Sequence, residues 1–226
     1  MTMNTAAWSR IARRHPSAFL LAVQLLSLMV YPLFDGLPGG RLVFGAFGAT
    51  ALVLAVWVVN RSPAVNWVAW SLAIPALLCA VSAAVFRNQA LLVTASLLEA
   101  LLYFYAAGAL ILYMMNDNRV TADELFAAGA TFTLLAWGFA YLFVVCQVWY
   151  PGSFSGAVEP ERARTWLELL FLSFTNLAAV GLGDVLPLRS EARVLVMLEQ
   201  FAGVGYVAVV VSRLIGLTIL RQGRDS

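Results

Sequence analysis

Long apolar runs separated by short polar breaks fill most of the chain. A helix needs about 20 predominantly apolar residues to cross the hydrocarbon core of a bilayer. On that measure the pattern predicts spans over Ser17–Phe34, Arg41–Asn60, Ala64–Phe86, Ala90–Met115, Glu124–Tyr150 and Glu191–Leu220. Tyr31-Pro32 and Asp35–Gly40 mark the first turn, Arg61–Pro63 the second and Arg87–Asn88 the third. Asn116–Asp123 is the longest polar break in this first part, and it divides a four-helix unit, 1–120, from a second unit, 121–226. One apolar stretch in the second unit, Arg162–Leu177, is too short to span and too lightly charged for a free loop. It reads as a half-helix that enters the bilayer and returns to the same side, so the fold class is an all-α membrane protein of six spans and one re-entrant helix.

Composition agrees with the pattern. Of 226 residues, 62% are hydrophobic and 12% charged, with mean hydropathy +0.85, which excludes a soluble domain. The formal net charge of +2 is small and gives no reason to expect nucleic acid as a partner, and no small-molecule substrate is evident. Cys79 and Cys146 lie inside spans without metal-ligand spacing and read as small buried side chains. Arg10, Arg13 and Arg14 precede the first apolar run, which lacks a small-x-small cleavage site and reads as a retained helix. His15 beside it reads as an interfacial residue.

Arginine placement orients the chain. An even number of spans puts both termini on one side, together with Arg61 and Arg119 as well as Arg221 and Arg224. The opposite short loops hold Arg41 and Arg87, and the longer segment around the half-helix adds Arg162, Arg164, Arg189 and Arg193. Positive charge favours the cytoplasmic side. Both termini are therefore expected in the cytoplasm of a cell (inner or plasma) membrane protein.

The chemistry concentrates in Thr175–Pro187, TNLAAVGLGDVLP. Gly181 and Gly183 alternate with Val180 and Leu182, and glycine reaches backbone angles that other residues largely avoid. The alternation lets successive carbonyls turn to one side. Four copies around an axis would then stack rings of oxygens able to replace the water shell of potassium. No second copy of the element occurs, so each chain would supply one strand of the ring.

Phe171–Pro187, FLSFTNLAAVGLGDVLP, resembles the pore helix and filter of potassium channels, T-x-x-T-V-G-Y-G-D followed by proline. The resemblance continues through MLEQFAGVGYVAVVVSRLIGL, residues 197–217, which is similar to the inner helix of small bacterial members of that family. It covers about Thr165 to Leu217. It implies a homotetrameric pore with permeant K+ at the carbonyls of Ala179, Val180, Gly181, Leu182 and Gly183, and a ring of Asp184 carboxylates at the filter mouth. Gly203 stands where the family often has a hinge glycine, and Gly203-x-Gly205 reads equally as a close helix-packing site. No further cofactor is implied.

Three departures from the family pattern bear on selectivity. Ala179 stands where a threonine hydroxyl usually completes the innermost ion site, Leu182 replaces the usual tyrosine, and Phe171-Leu172 replaces a usual tryptophan. Both ends of the usual side-chain brace are missing, so neither leaves an orphaned partner. The expectation is a filter held by packing and a looser selectivity. Phe171, Thr175, Asn176 and Glu199 are the candidate supports, with Glu199 expected to brace the half-helix. Arg213 is expected to snorkel to the interface, and Glu99 to find an internal hydrogen bond, with Tyr103 one turn on.

Six spans with a loop before the last is also the layout of voltage-gated channels. Ala90–Met115 carries no basic residue, so it cannot move gating charge across the field. A second reading is a non-conducting scaffold or sensory subunit with a degenerate pore. A third takes Gly181–Asp184 as the aspartate motif of intramembrane aspartyl proteases, which need two carboxylates sharing a proton. Asp35, Asp117 and Asp123 lie at a helix end or in a polar loop, and Pro75-Ala76-Leu77 precedes the motif that it should follow. The chain also leaves the membrane directly after Asp184, so the expectation is a non-enzyme.

Overall fold

In the computed structural model, residues 16–34, 48, 50–57, 66–116 and 121–225 are described. The helices are α1 (Pro16–Phe34), α2 (Asn66–Phe86), α3 (Gln89–Met115), α4 (Ala122–Trp149), α5 (Trp166–Leu177) and α6 (Ser190–Asp225). Two three-residue strands, β1 (Phe154–Gly156) and β2 (Val185–Pro187), flank α5 in the chain. Among the described residues five helices are long and apolar enough to cross a membrane, and α5 is the shorter apolar one. The expected span Arg41–Asn60 falls mostly outside the described residues; its residues 50–57 are helical, with Ala51, Leu52, Ala55 and Val56 buried. The expected domain boundary lies outside them at 117–120, as do His15, Asp35 and Asp117.

Local chemistry sets the helix ends. Asn88 caps α3, its side chain accepting from the Ala90 N–H at 2.8 Å, directly after Arg87 at φ +50°. Thr121 caps α4 by accepting from the Glu124 N–H. This starts α4 at Ala122, ahead of the expected span start at Glu124, and moves Asp123 from a polar loop into a helical first turn. There Asp123 is buried, taking bonds from the Ser17 N–H at 3.3 Å, the Ser17 hydroxyl at 3.1 Å and the Tyr113 hydroxyl at 3.2 Å. A carboxylate in the first turn also meets the positive end of the helix dipole. The chain stays helical through Tyr31-Pro32, expected to mark the turn, and ends α1 at Phe34.

The core lies between α3 and α4 and is rich in alanine: Ala106, Ala107, Ala127, Ala130, Ala136 and Ala140 are all buried. Small side chains let membrane helices approach closely, where packing supplies the attraction that hydrophobicity cannot supply in lipid. α1 runs beside α4 in the same direction, joined to it at one end by Ser17–Asp123, while near the other end Tyr31 stacks on Trp166, centroids 6.3 Å apart. Trp166 opens α5 and packs edge-on against Trp137 of α4 at 5.4 Å. The start of the half-helix is thereby fixed to the helix bundle. Glu99 finds its hydrogen bond across the helix interface, with Tyr141 of α4; the Tyr103 hydroxyl one turn away is buried without a partner. Helical spacing identified the nearer candidate, but the carboxyl reaches the facing helix instead.

Candidate site: a half-helix, a glycine-rich strand and the last helix

Helix α5 begins with a capping box. The Thr165 hydroxyl accepts from the Glu168 N–H at 3.3 Å, and the Glu168 carboxylate accepts from the Thr165 N–H at 2.6 Å. Arg162 adds an ion pair to Glu168 at 2.8 Å. Burial alone would push the Glu168 carboxyl up, but the Thr165 N–H and hydroxyl and the two guanidinium groups outweigh it, holding the carboxyl below its ordinary value. Arg164 is buried, and its guanidinium donates to the carbonyls of Val158, Glu159 and Arg162. Gln147 of α4 holds the Arg164 backbone at both N–H and C=O, 2.6 and 3.0 Å. Sequence reasoning counted Arg164 only in orienting the chain; nothing in its neighbours announces its burial.

The far end of α5 delivers the glycine-rich strand. The Ala179 N–H donates to Asn176 O at 2.9 Å, and the Val180 and Gly181 N–H groups both donate to Thr175 O, at 2.9 and 3.0 Å. These bonds reverse the chain within a few residues. The left-handed residues of the strand are Ala179, φ +57°, and Gly181, φ +64°; Gly183 is not among them. Alanine tolerates that region better than the β-branched threonine of the family pattern would. Backbone handedness thus alternates over 179–181. Residues 178–184 are exposed in the single chain, Val180 at 66% and Leu182 at 71%, so an apolar stretch lies open to a neighbour.

Each candidate support occupies a definite place. Phe171 lies behind the outer strand: a Cβ on Gly183 would stand 3.7 Å from the Phe171 ring and 3.9 Å from the Thr175 hydroxyl. Thr175 and Asn176 both donate to Leu172 O, at 3.0 and 2.8 Å, folding back onto their own helix. Glu199 of α6 is fully buried and accepts from the Ser173 hydroxyl, which also lies 2.8 Å from Ala136 O of α4. Gln200, beside it in sequence, donates to Asn176 Oδ1 at 2.9 Å. Ser173 and Gln200 escaped the sequence reading. The signal was present in two adjacent polar residues, Glu199-Gln200, within an apolar helix. The Asp184 side chain stands exposed where the strand ends.

Gly203 continues this seam. A Cβ placed there would run into the carbonyl, C and Cα atoms of Leu177, the last residue of α5, so α6 touches the half-helix backbone to backbone. Gly203→Ala is expected to cost the solubilised protein about 1–3 kcal/mol, because rigid main chain must shift. Gly205→Ala, whose Cβ meets nothing within 4 Å, is the control and should melt like the native chain. Below the turn at Ala179 lies a groove of about 360 Å³ lined by Leu177, Ala178, Gly203, Val204, Val207 and Ser212, among others. At the other end of α6, Arg213 pairs with Glu124 of α4 at 3.2 Å; the expected snorkelling gives way to an ion pair between helices. Among the described residues no group of His, Cys, Asp and Glu could hold a metal ion.

Comparison with known proteins adds one match. A family described as ion channel matches residues 100–219, from within α3 to within α6, and the stretch contains every candidate site residue. No curated protein matches the chain. No solved structure matches it either.

Proposed function

Starting from the chain's membership of this ion channel family, shown by a match over more than half its length, we propose that it is the pore-forming subunit of a homotetrameric cation channel that conducts potassium. The observation that carries the reading is the short apolar helix α5 leading into a strand with left-handed Ala179 and Gly181. Around a four-fold axis the carbonyls of Ala179, Val180, Gly181, Leu182 and Gly183 form stacked rings that coordinate K+ in place of water. The C-terminal, partly negative end of α5 points toward the groove below Ala179 and favours a cation there. Four Asp184 carboxylates at the mouth concentrate cations from solution. The exposed apolar strand and the exposed face of α6, where Phe201 is 82% exposed, supply the contacts between subunits.

Ser173–Glu199, Asn176–Gln200 and Leu177–Gly203 tie the filter's supporting helix to the helix that lines the pore. Movement of α6 is transmitted through this seam to the filter, and Gly203 is the place where such movement would pivot. The channel is not voltage-gated, since α3 carries no basic residue. It sits in the cell membrane with both termini in the cytoplasm.

Without a threonine hydroxyl at 179 the innermost ion site has only its carbonyl ring, and the selectivity for potassium over sodium is relaxed. Reversal potentials of the reconstituted protein under opposed potassium and sodium gradients test this: measurable sodium permeability is expected, and strict potassium selectivity would contradict it. The second reading, a non-conducting subunit, rests on the same Ala179 and Leu182 replacements. It predicts tetramers that pass no ions.

A further inference from the structure

The two halves of the strand are held differently. The inner half is fixed by the two bonds from Val180 and Gly181 to Thr175 O. In the outer half, Leu182, Gly183 and Asp184 make no such bond to α5, and among the described residues of one chain no side-chain hydrogen bond or ion pair engages 179–184. The chain is caught again one residue later. Val185–Pro187 pairs antiparallel with Phe154–Gly156, in the register Phe154↔Pro187, Ser155↔Leu186 and Gly156↔Val185. The Leu188 N–H extends the ladder to Ser153 O at 2.8 Å, and Arg193 of α6 donates to Pro187 O at 3.2 Å.

The first strand of this ribbon is itself anchored. Phe154 is 3% exposed and packs against Phe143 of α4, centroids 5.3 Å apart. Ser153 is fully buried and its hydroxyl donates to Tyr150 O at 2.5 Å. Gly156 has no room for a side chain, because a Cβ would meet the buried Arg164 guanidinium. Arg164 in turn is held by Gln147 of α4 and pairs with Glu168 in the first turn of α5. A continuous path of buried contacts therefore runs from α4 and the start of α5, through β1, to the residue that follows Asp184.

We propose that this ribbon is the positioning element of the outer filter, setting the spacing of the outer carbonyl rings where the side-chain brace is absent. The inference rests on the pore reading above. Ladder bonds suit the task. Each is modest, but paired strands share one register, and displacing the strand end breaks several together. Ser153, Phe154 and Arg164 act on permeation only through Val185–Leu188, so they are positioning residues.

The test compares wild-type protein with Leu188→Pro, which removes the N–H donated to Ser153 O, both reconstituted as full chains. Tetramer assembly is followed by native electrophoresis. The variant should assemble, while its permeability to sodium relative to potassium rises at least threefold. A second variant carries Ser155→Cys and Leu186→Cys, opposed across the ribbon, with Cys79→Ala and Cys146→Ala. Oxidation should lower its relative sodium permeability and reduction should restore it, which covers the case in which Leu188→Pro fails to assemble. A conducting wild type beside variants of unchanged selectivity overturns the ribbon's role alone. A wild type that passes no ion overturns the pore reading, and this inference with it.

Discussion

Gly181→Ala is expected to abolish ion flux while leaving assembled tetramers. The added methyl group meets nothing within 4 Å in the single chain, so crowding is not the cause. The cost is conformational: Gly181 sits at φ +64°, and an L-residue in that region loses about 1–2 kcal/mol relative to its right-handed form. In the proposed four-fold ring that penalty is paid four times, about 4–8 kcal/mol for the whole filter. At about 1.4 kcal/mol per factor of ten, the conducting conformation falls by about three orders of magnitude or more. Ala179 already bears one such penalty at φ +57°. Ala179→Gly is therefore the control, and should conduct at least as well as wild type. Flux into potassium-loaded liposomes reads both variants; undiminished flux in Gly181→Ala would mean that the strand does not conduct in this conformation.

Arg213→Ala is expected to give the largest loss of stability. The Arg213 and Glu124 side chains are only 12% and 4% exposed, and their ion pair joins the C-terminal part of α6 to the first turn of α4. Truncating one partner leaves the other charge buried and poorly compensated, at a cost of about 3–5 kcal/mol. The α4 dipole offsets part of this, since Glu124 lies near the positive helix end. The double variant Arg213→Met with Glu124→Gln removes both charges and should recover most of the loss. Thermal melting of the solubilised protein checks the set. An Arg213→Ala protein within about 0.5 kcal/mol of wild type, the range of an ordinary surface substitution, would show the pair to be incidental.

The spans were legible because hydropathy is a one-dimensional property: a run such as Ala90–Met115 needs no knowledge of its neighbours to read as the helix Gln89–Met115. The half-helix was legible from its short length and light charge, while the capping box of Thr165 and Glu168 that fixes its start went unread. What could not be read is what depends on partners distant in the chain. The strands Phe154–Gly156 and Val185–Pro187 are too short to show a period, and each exists only because the other lies beside it. Arg164 and Arg213 look like interfacial charges until the facing helices supply Gln147 and Glu124. Glu99 bonds across to Tyr141 for the same reason, since side chains on a facing helix are as near as those one turn away. At Gly203 the sequence left a hinge and close helix packing open, and the structure supplies the packing: the Leu177 main chain calls for glycine there in any case. The glycine pattern pointed to the strand, but the pairing of left-handed Ala179 with Gly181 is set by the Thr175 carbonyl behind it.

The most direct measurement is diffraction from the purified protein crystallised with rubidium in place of potassium. The expected result is four chains about one axis, with anomalous peaks on it ringed by main-chain oxygens of Ala179–Gly183. Chains without a common axis, or those oxygens turned into protein with no ion between them, would contradict the account.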